Sequence, residues 1–428
     1  MTETIEMRSD IIARIATLAS SRVANAFWPD GLGSPSFMAT MSQLYPVFGR
    51  SLNSGSTTGQ GDGTLFNSGK QIDIGVGHYL SAPPEAITAA IQSLQAGHTR
   101  YTHVPNLYRA IIAKYLVEQH VDVHEQQIVT TAGARTAMGL VFSALLEPGQ
   151  TVVIGDPDYI GLTHMAASIG CRIVRPASKR ASTGELRPDI DRIVTEIEAG
   201  ARMFAFTNPC NPTGYIWSRA EIAAIVAAAQ KSGTWIMANE IYDKLYFDDT
   251  DHISLVQFED TDRTIVVSGT AKNYDMTGFG LGWIVGSGKL VALLSDWQFI
   301  THSGAPDALS QYAAAAALCD PVRDRHPAAS RKLLKENWIL LRDALQQAGL
   351  ETCGAPKAGQ FAFPYIGGDD IALSLQMMRE FDVLVTPGGI WGGMGAGHIR
   401  VALSNPAETH CEGVARLMTG LGIKVSQN

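Results

Sequence analysis

Between about residue 128 and residue 290 the apolar positions gather into short β-branched runs, namely IVTTAG, TVVIGD, RIVRP, MFAFTNP, WIMANE, TIVVSG and LGWIVG. Helical spacing fills the stretches between them. Strands buried on both faces read as continuous apolar runs, so this alternation predicts a mainly parallel sheet covered by helices on both sides. Upstream, Ser81, Pro83 and Pro84 form a helix start, AITAAIQSLQ supplies the periodicity, and Gly97 marks the stop. Ser218 and Glu221 have capping-box spacing ahead of AEIAAIVAAAQK, which Gly233 closes before the next strand. Beyond about residue 308 the pattern turns to long helices, ALSQYAAAAAL and SRKLLKENWILLRDALQQAG, followed by a Gly-interrupted mixed segment.

These patterns divide the chain into a large α/β domain over 76–320 and a small α+β domain over 321–428, with 1–75 supplying an N-terminal arm and part of the small domain. Within the arm, residues 51–70 are rich in Gly, Ser and Thr and have no periodicity. No internal repeat is visible. A length of 428 residues, with 46% hydrophobic and 17% charged side chains, suits two well-packed domains. The net charge of −8, without a long Lys/Arg run, argues against nucleic acid as the main partner. The N-terminus MTETIEMRSD lacks a basic start followed by an apolar core, and no apolar stretch is long enough to span a bilayer, so a cytoplasmic location is expected. Five scattered cysteines (Cys171, Cys210, Cys319, Cys353 and Cys411) form no CxxC pair and suggest neither disulfides nor a metal site.

Chemistry-bearing fragments sit where the predicted strands end, the place at which open α/β folds bind ligands. TAGARTA (131–137) is a strand-to-helix turn whose small residues Gly133 and Ala134 let backbone N–H groups approach a phosphate. NPCNPTG (208–214) follows MFAFT, and its two Asn-Pro steps hold the asparagines extended. NEIYDKL (239–245), SGTAKNYDMTGFGLGW (268–283) and GAGHIRVALS (395–404) complete the set.

In this order and spacing the fragments resemble the class I/II aminotransferases of fold type I, over roughly residues 71–420. The resemblance implies a seven-stranded sheet, pyridoxal 5′-phosphate (PLP) as cofactor, an amino acid as substrate and a homodimer with shared active sites. Residue by residue, it implies that Lys272 carries the cofactor as a Schiff base and moves the proton, and that Tyr159 stacks on the ring. Asn211 and Tyr242 would bond the ring's phenolic oxygen, and Arg400 would grip the substrate carboxylate in two-pronged fashion, with Gly77 and Asn211 also lining the substrate site. Tyr101 matches the tyrosine that reaches the partner subunit's phosphate.

Four positions depart from the family pattern. Asn239 stands where an aspartate normally faces the pyridine nitrogen, and an amide cannot neutralise a pyridinium, so fast transamination is in doubt. Ala271 and Gly269 replace the serines one and three positions before the lysine, leaving Ser268 and Thr270 as the nearest hydroxyls. Gly280 replaces the phosphate-binding arginine, for which Arg135 is the candidate substitute. His78 and His103 lie near the expected entrance, and isolated histidines of this kind are more often structural. The leading expectation is an aminotransferase-like enzyme of specialised biosynthesis. Its rivals are PLP-dependent elimination, replacement, cyclisation or carbon–carbon bond formation on an activated amino acid such as S-adenosylmethionine, and a non-catalytic binding protein that keeps the fold.

Overall fold

The computed structural model describes residues 72–76, 81–100, 102–247, 252–258, 262–302, 304–350 and 354–423. The expectations for the 51–70 segment, Gly77, His78, Tyr101 and Cys353 lie outside the described residues.

A two-residue strand β1 (Ile72–Asp73) precedes helices α1 (Pro84–Gln95) and α2 (Pro105–Gln119). Pro84 occupies the first helical position, where its missing N–H has no partner to lose, and Pro83 rather than Ser81 precedes it as the cap residue. The seven apolar runs all become strands of one sheet: β2 (Ile128–Thr131), β3 (Thr151–Ile154), β4 (Arg172–Val174), then, past a hairpin of β5 (Lys179–Arg180) and β6 (Leu186–Arg187), β7 (Met203–Thr207), β8 (Trp235–Asn239), β9 (Thr264–Gly269) and β10 (Gly282–Val285). Their order is β2-β10-β9-β8-β7-β3-β4, with β10 antiparallel to β2 and β9 and the other neighbours parallel. Side chains alternate across the sheet as the strand period requires. Met203 and Ala205 join one apolar cluster with Val152 and Ile265, whereas Phe204 and Phe206 join a second with Val153 and Val266.

Connecting the strands are α3 (Ala134–Leu145), α4 (Ile160–Ile169), α5 (Ile190–Glu198) and α6 (Arg219–Ser232), and α7 (Gly288–His302) and α8 (Ala308–Leu318) follow them. The reciprocal cap at α6 forms as expected: the Glu221 carboxylate accepts from the Ser218 N–H at 2.7 Å, and the Ser218 hydroxyl accepts from the Glu221 N–H at 3.3 Å. Helix α9 (Val322–Gln347) then leads to β11 (Phe361–Ala362), α10 (Asp370–Glu380), β12 (Val383–Leu384), β13 (Thr386–Pro387), β14 (Ile399–Ala402) and α11 (Ala407–Gly420). β14 lies between β11 and β13, antiparallel to both, while β12 pairs in parallel with β1, Ile72 opposite Val383. The early segment around residue 72 is thus built into the C-terminal part of the molecule.

A buried charge cluster braces the sheet end. Lys114 of α2 is fully buried between Glu118 (2.6 Å) and Asp243 (2.7 Å), and Lys244 bridges Glu118 and Asp324, each at 2.6 Å. Burial alone would lower the Lys114 ammonium, but Asp243 and Glu118 more than reverse this and hold it well above the ordinary lysine range. The other Asp243 oxygen accepts from the Asn273 amide at 2.6 Å, tying the cluster to the residue after Lys272. No described helix is long and apolar enough to cross a membrane, and the described residues contain no metal-ligand cluster.

Candidate active site

The C-terminal ends of β3, β7, β8 and β9 converge with the start of α3 and with β14 of the small sheet. Lys272 lies in the turn after β9. Burial, followed by repulsion from the Arg400 cation and partly opposed by Asp275, lowers its amine to about 7. Above that pH most molecules carry a neutral amine, the form that attacks an aldehyde or takes up a proton.

Arg400 projects from β14 and is buried. One guanidinium nitrogen donates to Asn211 Oδ1 at 3.2 Å and another to the Gly75 carbonyl at 2.9 Å. Its guanidinium carbon lies over the rings of Phe361, 3.8 Å from the ring centre, and Trp391, 4.4 Å away. Asn211 also hydrogen-bonds the Tyr242 phenol, which burial pushes above the ordinary tyrosine range. Tyr242, Asn211 and Arg400 thus form one hydrogen-bonded group, and the Arg400 charge acts on Lys272.

At the end of β8, Asn239 is buried, and its Oδ1 has no hydrogen-bond partner among the described residues. A buried, unsatisfied acceptor is costly unless a ligand completes it. Tyr159 begins α4, and its ring lies so close to Gly161 that a Cβ there would sit 2.4 Å from the ring edge, so glycine at that position fixes where the ring can lie. Its neighbour Asp158 accepts from the Thr207 N–H at 3.2 Å, and burial raises its carboxyl to about 6.

Gly133, at φ +93°, ends the approach to α3, whose first N–H groups have no intrahelical acceptors. The turn presses on β10: a Cβ on Gly282 would fall 2.4 Å from the Ala134 nitrogen. Gly280 lies directly beside it, since a Cβ on Gly133 would be 3.7 Å from the Gly280 carbonyl oxygen. Arg135, in the first turn of α3, donates to the Tyr159 hydroxyl from two nitrogens, at 2.6 and 3.2 Å.

The hydroxyls of Ser268 and Thr270 are directed elsewhere. Ser268 donates to the Glu240 carbonyl at 3.2 Å and Thr270 to the Leu281 carbonyl at 3.5 Å, so in this conformation neither proton faces a phosphate. His103 pairs with Glu125 at 3.1 Å and packs on Tyr108. Sequence reasoning did not single out Asp275, Phe361 or Trp391. Asp275 lay within the lysine string, and Trp391 was the one indole in a glycine-rich stretch, whereas nothing local marked Phe361.

Residues 69–417 match the model of the family described as aminotransferase class I and II. The chain belongs to that family. An aspartate/prephenate aminotransferase from Cereibacter sphaeroides is 29% identical over 341 residues, covering 75% of this chain and 84% of the relative. An arginine–pyruvate transaminase from Pseudomonas aeruginosa is 29% identical over 348 residues, covering 79% and 86%. Among solved structures, an aromatic aminotransferase from Pyrococcus horikoshii superposes with a TM-score of 0.77 at 25% identity, covering 82% of this chain and 96% of that one. The chain is therefore an aminotransferase-like enzyme whose cofactor is PLP. Its residues fit that group: the unsatisfied Asn239 acceptor, the helix start at Gly133 and the buried amine at Lys272, lowered to about 7, match a protonated ring nitrogen, a phosphate and an aldehyde in turn.

Proposed function

We propose that the enzyme moves the amino group of an amino acid, with Lys272 joined to the cofactor and shuttling the proton at the substrate's Cα. What carries this reading is a desolvated amine, lowered to about 7, that feels the charge of a buried guanidinium held by Asn211 and the Gly75 carbonyl. When bound, PLP supplies the electron sink for the carbanion. The protein's residues position and neutralise. Arg400 holds the substrate carboxylate, Asn211 orients Arg400 and Tyr242, and Tyr242 with Asn211 faces the ring's phenolic oxygen. Tyr159 supplies the stacking face, and Gly133, Ala134 and the first N–H groups of α3 cradle the phosphate. We also read the active form as a cytoplasmic homodimer to which Tyr101 and Gly77 contribute. Amino acids supplied with and without 2-oxoglutarate test the reaction: keto-acid formation that requires the acceptor supports it, and none with any amino acid overturns it.

Arg135 is the cation for the phosphate in place of the arginine whose position Gly280 occupies, a reading supported by the helix start that bears it lying against Gly280. Charge-assisted bonds contribute about 1.5–3 kcal/mol, so Arg135→Ala should weaken PLP binding about 10- to 100-fold in a fluorescence titration. An unchanged dissociation constant would exclude Arg135.

A second reading is favoured by Asn239. Without a charge opposite the ring nitrogen the carbanion is less stabilised, which suits slower or different chemistry, elimination or replacement on an activated amino acid included, in a specialised biosynthetic role. Asn239→Asp should raise simple transamination about tenfold or more, since a preorganised charge at a reacting centre commonly has effects of that size. A rate that stays level or falls removes this account of the position.

A further inference from the structure

We propose that Asp275, fixed by His326 and Ser330, is a positioning residue for Lys272 whose buried carboxylate supplies the counter-charge that lets the Lys272 nitrogen hold a proton. This rests on the reading of Lys272 as the cofactor-bearing residue. Asp275 lies three residues beyond Lys272 in the same turn and takes φ +52°, a left-handed conformation that side-chain-bearing residues seldom adopt. Its carboxylate is buried, and one oxygen receives His326 Nε2 at 2.9 Å and the Ser330 hydroxyl at 3.2 Å, both from α9. The long helix that runs on to pack against α11 of the small domain thereby grips the lysine turn directly.

The surrounding charges give the contact its consequence. Arg400, reaching in from β14, opposes a proton on Lys272, and Asp275 is the acidic group set against it. Asn239 is uncharged and adds no negative charge of its own, which leaves Asp275 as the acidic group acting on Lys272. On the far side of His326 lie Tyr274, with ring centres 6.4 Å apart, and the Glu85 carboxylate of α1, which pairs with Arg325. A group serving only to tie the turn to α9 needs no net charge. The two roles therefore separate in Asp275→Asn, which keeps an acceptor and loses the charge.

The holoenzyme provides the test. The pH midpoint of the cofactor's long-wavelength absorption band is titrated in the wild type, Asp275→Asn, His326→Leu and the double variant. In parallel, borohydride fixation and peptide mass spectrometry locate the adduct. Loss of one nearby buried charge should lower the Asp275→Asn midpoint by about one pH unit, a tenfold change in the protonated fraction. His326→Leu, which leaves the carboxylate but strips its donor, should move the midpoint in the same direction by less. The double variant should fall no further than Asp275→Asn alone, as coupled groups require. An unchanged midpoint in variants that still carry the adduct at Lys272 overturns the inference and leaves the Lys272 reading standing. A wild type with no adduct at Lys272 overturns both.

Discussion

Lys272→Ala should lose turnover by at least about 10²–10⁴-fold, the size of a general acid–base contribution. The reason is local. The amine is buried, burial and Arg400 bring it to about 7, and no other described amine occupies this turn. Lys272→Arg should not rescue it, because a guanidinium stays protonated and cannot take up a proton near neutrality. Steady-state keto-acid assays decide the matter, and activity within tenfold of wild type would mean that another group moves the proton. Stability gives an independent readout. The folded amine, at about 7, lies below its ordinary 10.5, so between those values the unfolded chain binds more protons and the stability of the apoprotein rises with pH. Lys272→Met should flatten that rise, measured as the denaturation midpoint of apoprotein at pH values across the window.

Lys114→Ala should destabilise the fold by about 3–5 kcal/mol, the cost of removing one partner from a buried ion pair. Asp243 would be left as a buried carboxylate without its main cation, and among the described residues Glu118 would keep its ion-pair contacts with Lys244 and Arg323. The damage should reach the active site, because Asp243 also holds Asn273 and follows Tyr242 in the chain. Chemical denaturation of the apoprotein measures the first effect and PLP affinity the second. A loss below about 1 kcal/mol, the level of an exposed pair, would show that the cluster is effectively solvated.

Much of this architecture was legible in the sequence. All seven apolar runs became strands: six are largely buried and keep the apolar signature that burial on both faces leaves, while β4 is a half-exposed edge strand marked by its β-branched residues alone, and the α6 cap was readable because its partners are three residues apart. The helix start read from Ser81, Pro83 and Pro84 held, with the boundary set by the two prolines and no side-chain cap from Ser81. At the site, Lys272, Asn211, Tyr242 and Arg400 were legible from their strings and do come together. Ser268 and Thr270 were chosen as the hydroxyls nearest the lysine, but distance along a strand does not tell which way a hydroxyl donates, and both turn to carbonyls. Phe361 and Trp391 escaped notice because their contact with Arg400 exists only once β14 brings it to their rings. Asp275 and His326 escaped for the same reason, being 51 residues apart in the chain.

The bond from Arg400 to the Gly75 carbonyl spans 325 residues, and the β1–β12 pairing stitches the same two regions together. Contacts so remote along the chain form late and are slow to find, because the intervening loop must first be closed. During synthesis the binding clasp stays half-made until the final strands leave the ribosome. On the proposed role of Arg400, a product truncated before residue 399 lacks the side chain that would hold the substrate carboxylate.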